Sequence, residues 1–222
     1  MSRATERDSV GDQVYRAIRQ DIIFGKLTPG QRLRLEALRK RYDASVTTLR
    51  EILSRLTSEG FVTAEGQRGF EVTNVSPTDL REIAELRILL ESHALTKSFE
   101  AGNLDWEVRV VAAHHKLQAL EKRMAAGDES VREEWKRSDS EFHHRLIEGC
   151  GSRQLLQSHN TIFDKYLRYQ MQTLTFRGEI AASEHKALLE AALARDAGTA
   201  VKILETHISN GVKHAEAAGL AV

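Results

Sequence analysis

From Ser76 to the end of this 222-residue chain there is one proline, Pro77, placed where the first turn of a helix tolerates it. Proline removes a backbone donor and clashes with the preceding turn, so so long a stretch without it leaves helix open throughout. Apolar spacing predicts helices over roughly 77–101, 104–126, 129–149, 152–175, 178–194 and 197–218. The breaks between them, AGN, AAGD, GCGS, RGE and RDAG, are short and glycine-bearing. Consecutive helices joined so tightly are expected to pack as antiparallel neighbours in a bundle. Neither a strand pattern nor a glycine-rich phosphate loop interrupts this part.

Ahead of Ser76 the pattern changes, which predicts two domains, 8–75 and 76–218. Val10, Val14, Ile18 and Ile22 recur every fourth residue in a helix from Asp8 to Phe24, ended by Gly25. RLRL is a short extended piece, and a second helix runs from about Glu36 to Tyr42. Ser45 caps a third helix that reaches Glu59, with Gly60 as its stop. Leu49, Ile52, Leu53 and Leu56 form its apolar stripe, and Val46, Thr47, Arg50 and Ser54 the opposite face. FVTA and FEVT flank the five-residue loop EGQRG and read as a hairpin. The fold class expected is therefore mainly α: a winged helix-turn-helix followed by an all-α antiparallel bundle. A winged helix suits DNA, because the start of its third helix enters the major groove while the wing tip, Gln67 and Arg68, reaches the neighbouring backbone. The competing reading is a helical interaction module with ordinary surface arginines.

Up to Val75 the chain carries 13 Lys+Arg against 10 Asp+Glu, a balance of +3. The whole chain has 32 of each, so the remainder is at −3. This permits a polyanionic partner for the first part and excludes a general nucleic-acid glue. One cysteine, Cys150, excludes an internal disulfide framework and fits a reducing compartment. No run approaches the roughly 18 apolar residues of a membrane span, and MSRATERDSV lacks the apolar core of a signal peptide. A cytoplasmic location is expected.

Within the helical part, SDSEFHH sets Asp139 four residues ahead of His143. At about 3.6 residues per turn the two share one face, with His144 turned about 100° away. Such a pair binds a cation, makes a buried hydrogen bond, or moves protons. The chain has nine histidines, and spacing alone does not choose which of them join it.

SVTTLREILSRLTSEGFV followed by GQRGFEV resembles the DNA-binding domain of the GntR superfamily of bacterial transcription regulators. The resemblance implies operator contacts from Ser45, Thr47, Thr48 and Arg50, with Gly69 in the wing. Many relatives have arginine where this chain has Val46, and some where it has Glu36; Arg34, two residues earlier, is the substitute for the second. The operator sequence of other members therefore does not transfer.

ELRILLESHAL, SDSEFHHRLIEGCGS, SEHKALLEAALARD and LETHI are similar, in order and spacing, to the helical effector domain (FCD) of the FadR subfamily. That likeness implies a divalent metal, Zn, Ni or Mn, on Asp139, His143, His185 and His207. The alternative is a buried Asp–His pair with two unrelated histidines, as in the fatty-acyl-CoA-binding members. It also implies a carboxylate-binding arginine at Arg87, for which the other reading is a surface pair with Glu91. Similarity is strongest to regulators of small-acid catabolism of the CsiR type, which suggests a short dicarboxylate such as glutarate. The expectation is a ligand-responsive regulator, a repressor whose operator binding a small carboxylate weakens, acting as a homodimer on double-stranded DNA. A metal-dependent hydrolase is the rival from another class, with Glu141 or Glu184 as its base.

Overall fold

The computed structural model describes residues 9–64, 66, 69–173 and 176–219. It divides into two compact units, Met1–Val75 and Ser76–Val222. In the first, α1 (Val10–Ile23) starts at Ser9, whose side chain accepts from the backbone N–H of Asp12. Asp8, the start expected from the sequence, lies outside the described residues. α2 (Leu35–Tyr42) ends at Asp43, which turns the chain with a left-handed φ of 49°. Aspartate tolerates that conformation better than most residues, so the chain turns tightly into α3 (Val46–Ser58) without a glycine. Ile18, Ile22, Leu38, Leu49, Leu53 and Leu56 bury together where the three helices meet. Tyr15 Oη donates to Glu59 at 2.5 Å and the Arg55 guanidinium lies 3.7 Å from the Tyr15 ring, tying α1 to α3.

The expected hairpin is present as β2 (Val62–Ala64) and β3 (Phe70–Val72), with Val62 opposite Val72. The RLRL piece turns out to be a third strand, β1 (Arg32–Leu33), antiparallel to β3, so the sheet order is β1-β3-β2. Gly69 takes a φ of 96° as the chain enters β3, a conformation that a side chain would strain.

The second unit is helical among the described residues. Its helices are α4 (Pro77–Ala101), α5 (Leu104–Ala125), α6 (Arg132–Ile147), α7 (Arg153–Thr173), α8 (Glu179–Leu193) and α9 (Ala197–Ala217). The helix expected over 129–149 is shorter, with 3-10 turns at Glu129–Val131 and Glu148–Cys150 on either side of α6. The RDAG break is made by Arg195, at a φ of 57°, with Asp196 capping the next helix; Gly198 sits inside α9. α5 packs on α6 and α8 on α9, as consecutive neighbours should, but α4 packs mainly on α9 and α7. The reason lies in its sequence: α4 buries Leu80, Ile83 and Leu95 together with Arg87 and Glu91, too broad a face for one neighbour to cover. Gly211 lets α9 approach α7 closely, since a Cβ there would stand 2.2 Å from Tyr166 Oη. That hydroxyl donates to the carbonyl of Ile208 at 3.1 Å.

No helix among the described residues is long and apolar enough to cross a membrane.

Candidate metal centre and DNA-facing helix

The helical unit brings together the four residues expected to share an ion. Asp139 and His143 come from α6, His185 from α8 and His207 from α9, and all four are buried. One potential ligand atom from each lies within 4.8 Å of every other. Asp139 Oδ1 is 3.1 Å from His185 Nε2 and 4.0 Å from His143 Nε2. His144, on the adjacent face of α6, is not part of the group. Phe142 packs edge-on against the rings of His143 and His185, so apolar surface walls the cluster on that side.

Each of the three imidazoles has its own carboxylate behind it, and these the sequence did not single out for the purpose. His143 Nδ1 is 2.5 Å from Glu91 of α4, His185 Nδ1 is 2.7 Å from Glu121 of α5, and His207 Nδ1 is 2.8 Å from Glu184 of α8. Arginine nitrogens also approach two of these Nδ1 atoms, Arg87 at 3.2 Å from His143 and Arg177 at 3.0 Å from His207. One nitrogen cannot both donate to a carboxylate and accept from a guanidinium. The carboxylate contact is the shorter in both cases, so Nδ1–H donates to glutamate and the arginine serves the same glutamate. In a neutral ring this selects the tautomer that leaves an Nε2 lone pair facing the cluster. The Nε2 atoms of His143 and His185 are buried without a hydrogen-bond partner. Two orphaned imidazole nitrogens beside a carboxylate fit a divalent cation of borderline softness.

Charges around the cluster are tightly opposed. Burial alone would raise the pKa of Asp139, but Lys136 and His185 hold it well below the usual carboxylate range. Burial also works against ionised Glu91, and Arg87 and His143 hold its pKa well down. Glu184 is lowered to about 2 against its partial burial by hydrogen bonds with His207, Arg177 and Asn210. Burial pushes the pKa of His143 and of His207 down, keeping them neutral, whereas the carboxylates of Asp139 and Glu121 overcome burial at His185 and push it up to about 9. A metal binding at that Nε2 competes with a proton.

Arg87 is only 1% exposed. Its guanidinium lies against the rings of Phe163 and Tyr166, 4.2 and 4.7 Å from their centroids, and its Nε donates to Glu91 at 2.9 Å. The i, i+4 pair with Glu91 therefore forms, but in the core rather than on the surface, and Glu91 also takes His159 Nε2 at 3.0 Å. Arg87 does not border the cavity at the cluster. That cavity, of about 20 Å³, is lined by Asp139, His185 and His207 with Lys136, Gln170 and Arg177. Lys136 and Arg177, which the sequence reading did not select, are thus the cations beside the ligands. Of the two candidate bases of the hydrolase reading, Glu184 is committed to His207 and Glu141 pairs with Arg145 at 3.4 Å.

In the first unit Ser45 Oγ accepts from the N–H of Thr48 at 3.1 Å and lies 2.9 Å from its hydroxyl, so both residues build the start of α3. Thr47 and Arg50 are exposed near that same end, and Arg34, the residue before α2, is exposed as well. Gly69 is half-buried at the wing. Arg68 lies outside the described residues.

A winged helix followed by an all-helical unit defines a class, the DNA-binding transcription regulators that carry a separate effector unit. Within it the chain belongs to the gntR family of bacterial regulatory proteins, which matches residues 10–72, and carries an FCD domain, which matches residues 82–210. It is 34% identical to an uncharacterized HTH-type transcriptional regulator, BphR, of Paraburkholderia xenovorans (strain LB400), over 96% of this chain and 87% of that one. It is 33% identical to the HTH-type transcriptional repressor GlaR of Escherichia coli (strain K12), over 87% of this chain and 90% of the relative. Among solved structures the fold is shared with E. coli McbR/YncC, at a TM-score of 0.81 and 19% identity over 95% of this chain and 99% of the other. It is shared too with a GntR regulator from Rhodococcus sp. RHA1, at 0.77 and 21% over 95% and 99%. The chain is a DNA-binding transcription regulator. Regulators of this family bind DNA operators, typically as dimers.

Proposed function

We propose that the helical unit holds a divalent metal, Zn, Ni or Mn, on Asp139, His143, His185 and His207, and that a small carboxylic acid bound beside it weakens the hold of the winged helix on its operator. The observation that carries this reading is the set of three Nδ1-to-glutamate contacts, which turns unpartnered Nε2 atoms of His143 and His185 toward Asp139. A buried Asp–His pair with unrelated histidines needs no such support at all three rings. One carboxylate and three imidazoles suit a borderline cation and leave coordination positions for an oxygen ligand. That chemistry, polarising and orienting a carboxylate, is what the metal would supply.

The winged helix reads DNA through Arg34, Ser45, Thr47, Thr48 and Arg50, with Arg68 and Gly69 in the wing. Repression is supported by the relative GlaR, which is described as a repressor. A homodimer is supported by operator logic, because one small winged helix reads too few base pairs for specificity. It is supported also by Leu104, Val108 and Val111, exposed at i, i+4 and i+7 of α5. A cytoplasmic site of action follows from the partner, the operator.

Metal analysis of the purified wild type and of His185→Ala and His207→Ala tests the centre. About one ion per chain is expected in the wild type and well under one in each variant, with a lower melting temperature in both. Full occupancy in both variants would show that these histidines are not ligands.

A further inference from the structure

Four of the five apolar side chains of α3, Leu49, Ile52, Leu53 and Leu56, are closed into the core, and the fifth, Val46, is not. Val46 is the first residue of the helix, three residues ahead of Leu49 and four ahead of the exposed Arg50. Those spacings place it at the border between the buried stripe and the open face. It is half-buried, so part of the side chain is packed and part meets solvent.

The side chains around it differ in what they can offer to a base. Ser45 Oγ accepts from the backbone N–H of Thr48 and lies 2.9 Å from the Thr48 hydroxyl, so both residues are committed to the cap. The Thr48 methyl lies on the side of α1, where a Cβ added at Gly11 would stand 3.9 Å from it. Thr47 and Arg50 present a hydroxyl and a guanidinium to solvent. Val46 has neither a donor nor an acceptor in its side chain, only methyl groups. Of the groups that base pairs show in the major groove, only the C5 methyl of thymine is apolar and can match it. A β-branched side chain already half packed has few rotamers to lose, so such a contact costs little entropy.

We propose that Val46 reads a thymine: its methyl groups lie against the C5 methyl of one T·A pair in each half-site of the operator, which makes it a specificity-determining residue that selects a base without a hydrogen bond. The proposal rests on the reading above, in which the start of α3 reads DNA. Arg50, one turn further along α3, and Thr47, beside Val46, are left to read the neighbouring pairs through polar groups.

The test uses duplexes that the full-length protein selects from a random DNA library, with each thymine replaced in turn by deoxyuridine, which lacks only the C5 methyl. At one thymine per half-site the wild type should lose about fourfold in affinity, the contribution of one buried hydrocarbon group. Val46→Ala, a substitution that a helix start tolerates, should bind the thymine and deoxyuridine forms alike at that position. Val46→Arg, whose guanidinium matches O6 and N7 of guanine, should select guanine there instead. The proposal is overturned by a wild type indifferent to every replacement, or by a Val46→Arg protein that still selects thymine. It is overturned equally by a sensitivity that persists in Val46→Ala, which would trace the effect to DNA shape or to another side chain. Arg50→Ala on the same duplexes separates this proposal from the reading beneath it. Weakened binding in that variant keeps α3 in the groove even where the thymine replacements have no effect, whereas unchanged binding removes α3, and Val46 with it, from the contact.

Discussion

Arg50 is exposed near the start of α3, beside Thr47, while Ser45 and Thr48 spend their hydroxyls on the cap. Of this group it has the longest reach to phosphates and base edges, so Arg50→Ala should weaken specific operator binding in a mobility-shift assay by about 1–3 kcal/mol. Helical circular dichroism and dimer mass should be unaltered, because the side chain supports nothing in the core. Wild-type affinity would remove Arg50 from the DNA contact. At this scale the sequence reached as far as local spacing does. Asp139 and His143 share a helical face by arithmetic, and the Arg87–Glu91 contact is likewise four residues apart. What spacing does not carry is burial: the same i, i+4 rule describes a solvated pair and the fully buried one observed here. Nor does it carry Glu91, Glu121 and Glu184 as partners of His143, His185 and His207, because each contact joins two different helices. Acidic side chains on bundle helices are ordinarily solvated, and nothing local distinguishes these three.

The helices were legible wherever capping chemistry marks them, as at Ser45, Ser76 and Asn103, whose side chains accept backbone N–H groups at the starts of α3, α4 and α5. β1 was legible only as an extended piece, since two residues are too short to show a period and their place in the sheet comes from pairing with β3. The end of α8 was placed correctly but for a different cause, a left-handed Arg195 instead of a glycine. Which helix packs on which was half legible: tight links predict α5 on α6 and α8 on α9, whereas α4 meets α7 and α9 across long stretches of chain. Gly211 controls the fit of α9 against α7. In Gly211→Ala the new Cβ collides with Tyr166 Oη, so either the hydroxyl gives up Ile208 or α9 moves outward. We expect a loss of about 1–3 kcal/mol in urea unfolding, typical of overpacking. An unchanged midpoint would mean that α9 shifts freely.

For the whole molecule, the apolar stripe Leu104, Val108 and Val111 on α5 is where a charge does most harm to self-association and least to the fold. Val108→Asp should yield monomers by light scattering with the circular dichroism of the wild type, and operator binding should fall with the loss of the paired half-sites. A dimer of full strength would place the interface elsewhere. At the same scale the three histidine–glutamate contacts act on the helical unit as a whole. They join α4 to α6, α5 to α8 and α8 to α9, so the six halves are spread over five helices, with two of them on α8. Losing the imidazole strands a buried carboxylate, and losing the carboxylate lets the ring turn, so neither half is free to drift alone. At positions 91 and 143, 121 and 185, and 184 and 207 a single substitution is therefore expected to cost more stability than replacing both members of the couple with apolar residues.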